Sequence, residues 1–351
     1  IPNIISRVGH IRVFAAFASL ASIAILMHSL FLDPVSWFFI RILTGISLAG
    51  IYIIMESWLN DKSTNQSRGK LLSIYMIVNL AFVGLGQLLL NLSDPATFDL
   101  FILISILLSF ALLPILLTIT EQPNIINPKR LSLREFYTIS PLGFIGALFT
   151  GLAHSVIFGY GAVYASSINL SIFEISVFMA VITTFGALSQ WPYGYLSDKL
   201  DRRVILVGTT LAAAFLSLLI IGFSYLSFTL FLFFVGIYSC ASVPMYSLAV
   251  AHINDYLRSD EIIAATSTFS ILVGVGAIIG PIIVSSIMTV IGSNGFFIYL
   301  FVVHILLGLF GLYRMSKRTK SSDIESQYVP LPRNITPAGM ELTPVTEQNE
   351  E

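Results

Sequence analysis

Polar residues along this chain come in short clusters. Between them lie apolar runs of about 20 residues or more, long enough for a helix to cross a bilayer. The runs fall at roughly 12–32, 36–58, 71–92, 99–119, 141–165, 173–196, 204–224, 227–251, 264–291 and 295–315. Each is apolar around its whole circumference, as a span must be where no water can satisfy the backbone. The pattern predicts an all-α integral membrane protein with ten transmembrane helices. Ten such segments in succession, joined by loops of a few residues, do not fit the buried helices of a soluble protein.

Lysine and arginine sharpen this reading. Alternate connections carry Arg7 and Arg12; Lys62, Arg68 and Lys70; Lys129, Arg130 and Arg134; Lys199, Arg202 and Arg203; Arg258; and Arg314, Lys317, Arg318 and Lys320. The connections between them, at 33–35, 93–98, 166–172, 225–226 and 292–294, carry neither residue. Positive charge stays on the cytoplasmic side, so the basic loops and both ends of this chain are expected there. One missed or invented helix would scramble the alternation, so the charges also support the count.

Composition agrees. The chain has 351 residues, 56% hydrophobic and 11% charged, against about 25% charged in soluble domains. Its single cysteine, Cys240, lies inside an apolar run and offers neither a disulfide framework nor a metal site. No ATP-binding loop, paired catalytic carboxylates or His–Cys metal spacing is present in the sequence. The expectation is a protein without metal or cofactor, without nucleic acid as partner, and not an enzyme.

The longest internal loop, 121–140, is basic and contains Pro123 and Pro128; its Leu131-Ser-Leu-Arg-Glu-Phe piece reads as a short interfacial helix. It divides the chain into a half at 1–120 with four spans and a half at 141–316 with six. Residues 317–351 are polar, contain Pro330, Pro332, Pro337 and Pro344 and end in acid. By composition they form a disordered cytoplasmic tail.

The most informative polar stretch is Gly194-Tyr-Leu-Ser-Asp198-Lys199-Leu-Asp201-Arg202-Arg203, which begins in the last turn of the sixth run. It resembles the loop signature of major facilitator superfamily transporters, G-x-x-x-D-[RK]-x-G-[RK]-[RK], with Asp201 in place of the usual glycine. A weaker copy opens the chain, with Pro2 for the glycine, Ser6 for the acid and Arg7 for the cation. The two copies are 194 − 2 = 192 positions apart, and the same offset lays Gly84 on Gly276. Two spans precede the second copy in its half and none precede the first. The resemblance therefore implies helices 3–12 of a twelve-helix fold, with two pseudo-symmetric halves and two N-terminal helices missing. Arg41-Ile-Leu-Thr-Gly45, Ile53-Ile-Met-Glu56-Ser-Trp58 and Arg68-Gly-Lys-Leu-Leu-Ser-Ile-Tyr-Met76 extend it to an uncharacterised bacterial inner-membrane branch of that family.

That resemblance implies transport by alternating access without ATP. The expected function is a secondary active transporter of a small solute in the inner membrane, proton-coupled, monomeric and surrounded by lipid. A drug or metabolite efflux pump, and a non-transporting membrane receptor or enzyme, are the alternatives. The resemblance makes Gly194, Asp198, Lys199, Arg202, Arg203, Arg7 and Arg68 the cytoplasmic gate, with Asp198 facing the helix start at Ser67-Arg68-Gly69 and Arg7 meeting Asp260 or Glu261.

Candidate substrate and proton groups are the polar residues at membrane depth: Arg41, Glu56, Asn79, Gln87, His154 and Gln190. Arg41 is the one Lys or Arg that lies more than a residue or two from the end of a run. A charge at a helix centre costs roughly 2.5–3.5 kcal/mol on insertion scales, so Arg41 either snorkels to the outer headgroups or lines a cavity, and the cavity is the better reading. An unperturbed histidine titrates near neutrality, and His154 sits among glycines. The cluster Gly274-Val-Gly276-Ala-Ile-Ile-Gly280-Pro281 resembles an antiporter pattern but reads better as close helix packing.

Overall fold

A computed structural model of the chain describes residues 9–61, 63, 68–117, 131–223, 227–257, 261–317, 328–332 and 335–340. Among the described residues the spans are largely helical, and 10 helical stretches are long and apolar enough to cross a membrane. Within the described residues the chain forms two compact units.

The first unit holds α1 (His10–Leu30), α2 (Pro34–Asp61), the start of α3 (Arg68–Leu88), α4 (Asp99–Leu116) and a short piece near the end of the chain. Asp33 starts α2 by accepting the Ser36 N–H at 2.8 Å. Pro34 follows at the first helical position, where its missing N–H costs nothing. Val13, Phe14, Ala18 and Ile54 form the core, with Phe17, Trp58 and Leu112 against it. Ser22 of α1 and Ser105 of α4 join through their hydroxyls at 2.6 Å.

The second unit holds the rest of α3, then α5 (Leu133–Ile139), α6 (Pro141–Gly159), α7 (Gly161–Ser167), α8 (Ile172–Lys199), α9 (Arg202–Phe223), α10 (Phe228–Ser242), α11 (Met245–Asn254), α12 (Ile262–Ile291) and α13 (Gly295–Lys317). The short helix expected after Leu131 is α5. Ser132 and Glu135 close a capping box at its start, two orphan amides satisfied reciprocally. Ser171 and Glu174 repeat the device on α8. The core is aromatic: Tyr164 stacks on Phe296 with centroids 4.4 Å apart, and Phe178 on Phe231 at 5.5 Å.

Two single runs in the sequence are pairs of helices in the structure. The run 227–251 is α10 and α11, broken at Val243-Pro244. Proline has no N–H to donate, and its ring clashes with the carbonyl one turn before it, so the helical ladder is interrupted there. The run 141–165 is α6 and α7, parted at Tyr160.

The tail also departs from its compositional reading. Tyr328, Leu331, Ile335 and Met340 are all buried, and Pro337–Met340 forms a helical turn, α14. These apolar side chains lie in a polar, proline-rich stretch, and burying them offsets the cost of ordering it.

Candidate functional site

The loop signature builds a compact ionic network in the second unit. It spans the end of α8, the start of α9 and the turn after α11. Arg202, 5% exposed, lies at its centre. One guanidinium nitrogen donates to Asp198 Oδ1 at 2.9 Å. The other donates to Asp255 Oδ1 at 2.7 Å and to the Ala251 carbonyl at 3.0 Å. Arg203 clamps its neighbour Asp201, with Nη2 to Oδ2 at 2.6 Å and Nε to Oδ1 at 3.0 Å.

Asp201 thus gives a reason for the departure from the signature. Its Oδ1 also accepts the Arg203 backbone N–H at 2.9 Å, the hydrogen bond of a helix N-cap. An acid there starts α9 and neutralises the arginine that follows. Lys199 points to solvent; its ammonium donates to the Tyr195 hydroxyl and lies 4.2 Å from that ring's centroid.

The resemblance puts Arg202 and Arg203 in the gate motif; nothing in the sequence shows that both are buried. Removing one partner of a buried pair costs roughly 3–5 kcal/mol, whereas an exposed pair contributes about 0–1 kcal/mol. Asp255 is 12% exposed and Asp198 36%. The Arg202–Asp255 bond is therefore the strong element of the network, and the bond to the more exposed Asp198 is the weaker one.

The partners expected for the gate are only partly in view. Arg7, Ser67 and Asp260 lie outside the described residues, and so does the side chain of Arg68 at the start of α3. The bonds described at Asp198 come from Arg202 and from the backbone N–H of Tyr328, at 2.8 Å. Gly194 is buried, and a Cβ on it would sit 2.6 Å from the Tyr328 ring. Gln190 is buried as well and accepts a hydrogen bond from the Tyr328 hydroxyl.

Glu56 and Arg41 belong to α2. They are 56 − 41 = 15 residues apart, which leaves about 60° between them on the helical wheel. Glu56 is fully buried and accepts the Thr336 N–H at 2.8 Å and the Thr336 hydroxyl. Gly339 lies so close that a Cβ would be 2.6 Å from the carboxyl carbon. Arg41 is exposed, its guanidinium 5.8 Å from the centre of the Trp37 ring. Trp37 in turn donates to the Phe31 carbonyl at 2.6 Å. Asn79 and Gln87 of α3 are half-buried, and Gln87 donates to the Val83 carbonyl of its own helix at 3.4 Å.

His154 is buried in the second unit, and its Nε2 lies 3.2 Å from the Ser242 carbonyl. The Ser242 hydroxyl lies 3.0 Å from His304 Nε2, and His304 Nδ1 is 2.7 Å from the Leu300 carbonyl. Ser242 thus joins histidines of α6 and α13. The Tyr238 ring stands edge-on to His304 at 5.7 Å.

Sequence reasoning named His154 but missed Ser242 and His304, which are 88 and 150 positions further along. It also missed Asp255, Ser247 and Tyr328. Tyr328 did leave a signal, as the one aromatic residue after Tyr313.

The fold and this network define a multi-pass, all-helical membrane protein with an ionic latch at a loop. The profile of the Major Facilitator Superfamily matches residues 3–243 and again 143–342. The chain belongs to that superfamily, whose transporters bind small-molecule substrates. It is 25% identical over 265 residues to "Uncharacterized MFS-type transporter YcaD" of Escherichia fergusonii, covering 75% of this chain and 68% of the relative. An "Uncharacterized MFS-type transporter" of Yersinia pestis is 27% identical over 300 residues, covering 84% and 76%. Among solved structures, the Escherichia coli fucose:proton symporter FucP superposes with a TM-score of 0.51 at 11% identity, covering 89% of this chain and 86% of that one. A bacterial homologue of the iron transporter ferroportin, in an outward-facing state, gives 0.50 at 16% identity, covering 88% and 84%.

Proposed function

We propose that this protein is a secondary active transporter that moves a small solute across the cytoplasmic membrane by alternating access, coupled to protons. The observation that carries the coupling is the buried pair of histidines joined through Ser242. His304 meets the Ser242 hydroxyl and His154 the Ser242 carbonyl, so one residue holds two imidazoles, each able to bind a proton at membrane depth. The Tyr238 ring stands edge-on to His304.

The latch supports the gating part of this reading. Arg202 stays on Asp255, while the more exposed Asp198 exchanges partners as the basic face opens and closes. The alternation of lysine and arginine between loops supports placing that face in the cytoplasm. On α2, Arg41 is the candidate for meeting the charge of the solute, with Glu56 as a protonatable group on the same broad side of the helix.

Proteoliposomes test the coupling. One proton per solute across a gradient of one pH unit supports about tenfold accumulation. A panel of small solutes should yield at least one whose uptake rises with an inward-directed proton gradient. His154→Gln and His304→Gln should each abolish the gradient's effect while leaving downhill exchange of that solute. Uptake that ignores the gradient would remove the coupling from this reading.

A further inference from the structure

The chain carries its own ligand for the end of α8. Tyr328–Pro332 belongs to the same unit as the loop signature and meets it at several points. The Tyr328 ring seats where Gly194 leaves no side chain. Its hydroxyl donates to Gln190 and its N–H donates to Asp198 Oδ1. Three residues on, the Leu331 N–H donates to Ser247 Oγ at 3.0 Å, and the Ser247 hydroxyl reaches back to the Leu331 carbonyl at 3.5 Å. Tyr328 is 6% exposed and Leu331 4%.

The sequence of the segment suits the task. Tyr-Val-Pro-Leu-Pro places a proline after Val329 and another after Leu331. Each proline fixes its own φ and holds the residue before it extended. A segment already extended loses less freedom on docking, which favours binding. The contacts of Tyr328 fall on residues that matter elsewhere in the site. Gly194 and Asp198 are signature positions, and Gln190 lies one turn before Gly194.

We infer that Tyr328–Leu331 docks on the end of α8 as an intrachain plug and restrains transport until it leaves. A docked Tyr328 N–H occupies the oxygen of Asp198 that also binds Arg202. The exchangeable arm of the latch is then held in one arrangement, and the ring on Gly194 blocks any other element from approaching there. A second tail segment, Thr336–Met340, belongs to the first unit and closes on Glu56 in the same manner, with backbone N–H and hydroxyl. Docking stands on geometry alone; the restraint rests on the transport reading.

Hydrogen exchange on the full chain and on Tyr328→Ala and Ser247→Ala separates the two. In the intact chain the Leu331 amide should exchange at least about tenfold more slowly than in either variant, with the unfolding midpoint unchanged. Equal exchange in all three chains would overturn the docking. Initial uptake in proteoliposomes should then rise severalfold in Tyr328→Ala and less in Tyr328→Phe, which keeps the ring on Gly194 and loses only the hydroxyl's bonds to Gln190 and Ser247. Slow Leu331 exchange with equal uptake by intact chain and variants would overturn the restraint and leave the transporter reading standing. No uptake by any of them would sink the transporter reading instead, and the exchange rates would still decide the docking.

Discussion

Spans α3 and α12 carry similar glycines in register, yet the structure uses them differently. Gly84 and Gly276 fall together under the 192-residue offset that also aligns the loop signatures. A Cβ added to Gly84 or Gly86 meets nothing within 4 Å. One added to Gly276 collides with the Leu148 carbonyl and lies 2.8 Å from the Leu152 nitrogen, both on α6. Gly280 repeats this one turn on, 2.6 Å from Ser155 Oγ and 2.8 Å from the Leu152 carbonyl. From the other side, Gly151 of α6 would drive a Cβ into the Val273 carbonyl of α12. Glycines at this spacing let two backbones approach. Whether they are needed depends on the partner helix, which the repeat does not encode.

Gly276→Val tests the contrast hardest. The obstructing atoms are backbone and cannot turn aside, so the helices must separate. Overpacking of this kind costs typically 1–3 kcal/mol and sometimes more; about 3 kcal/mol is expected here. The unfolding midpoint in detergent, compared with that of Gly84→Val, measures it. Equal losses at the two positions would break the distinction between α3 and α12.

Gly151→Ala and Gly276→Ala probe the same crossing from its two sides. Each should cost roughly 2 kcal/mol. Separating α6 from α12 relieves both clashes at once, so the double variant should cost less than the sum, with a coupling of about 1 kcal/mol. Strict additivity of the three unfolding free energies would mean that the glycines act independently and that the helices are not in contact here.

The same distinction between pattern and partner decides what was legible in the sequence. The spans were, because apolar length needs no knowledge of neighbours. The ionic signature was, because its residues are contiguous. The break at Val243-Pro244 had a visible cause in proline, but an apolar run hides it. The bond of Arg202 to Asp255 crosses 53 positions, that of Ser242 to His304 crosses 62, and that of Tyr328 to Gln190 crosses 138. No local period reports such pairs. The two docked pieces of the tail were missed for a related reason. Composition averages over 317–351, while the docked pieces rest on a few apolar residues, Tyr328, Leu331, Ile335 and Met340, spaced among polar ones.

Gly84→Ala is the smallest test and the one that isolates α3. In an exposed helix of a soluble protein, alanine is favoured over glycine by up to about 1 kcal/mol. A span in lipid already has its backbone bonds made, which mutes that preference. With open space around the new methyl group, the change should fall within about 0.5 kcal/mol of zero, against about 2 kcal/mol lost at Gly276. The comparison should be made in detergent and again in a bilayer. A loss above about 1.5 kcal/mol would mean that a partner helix reaches Gly84. The difference between α3 and α12 would then dissolve, and the offset between the two signatures would extend to how their spans pack.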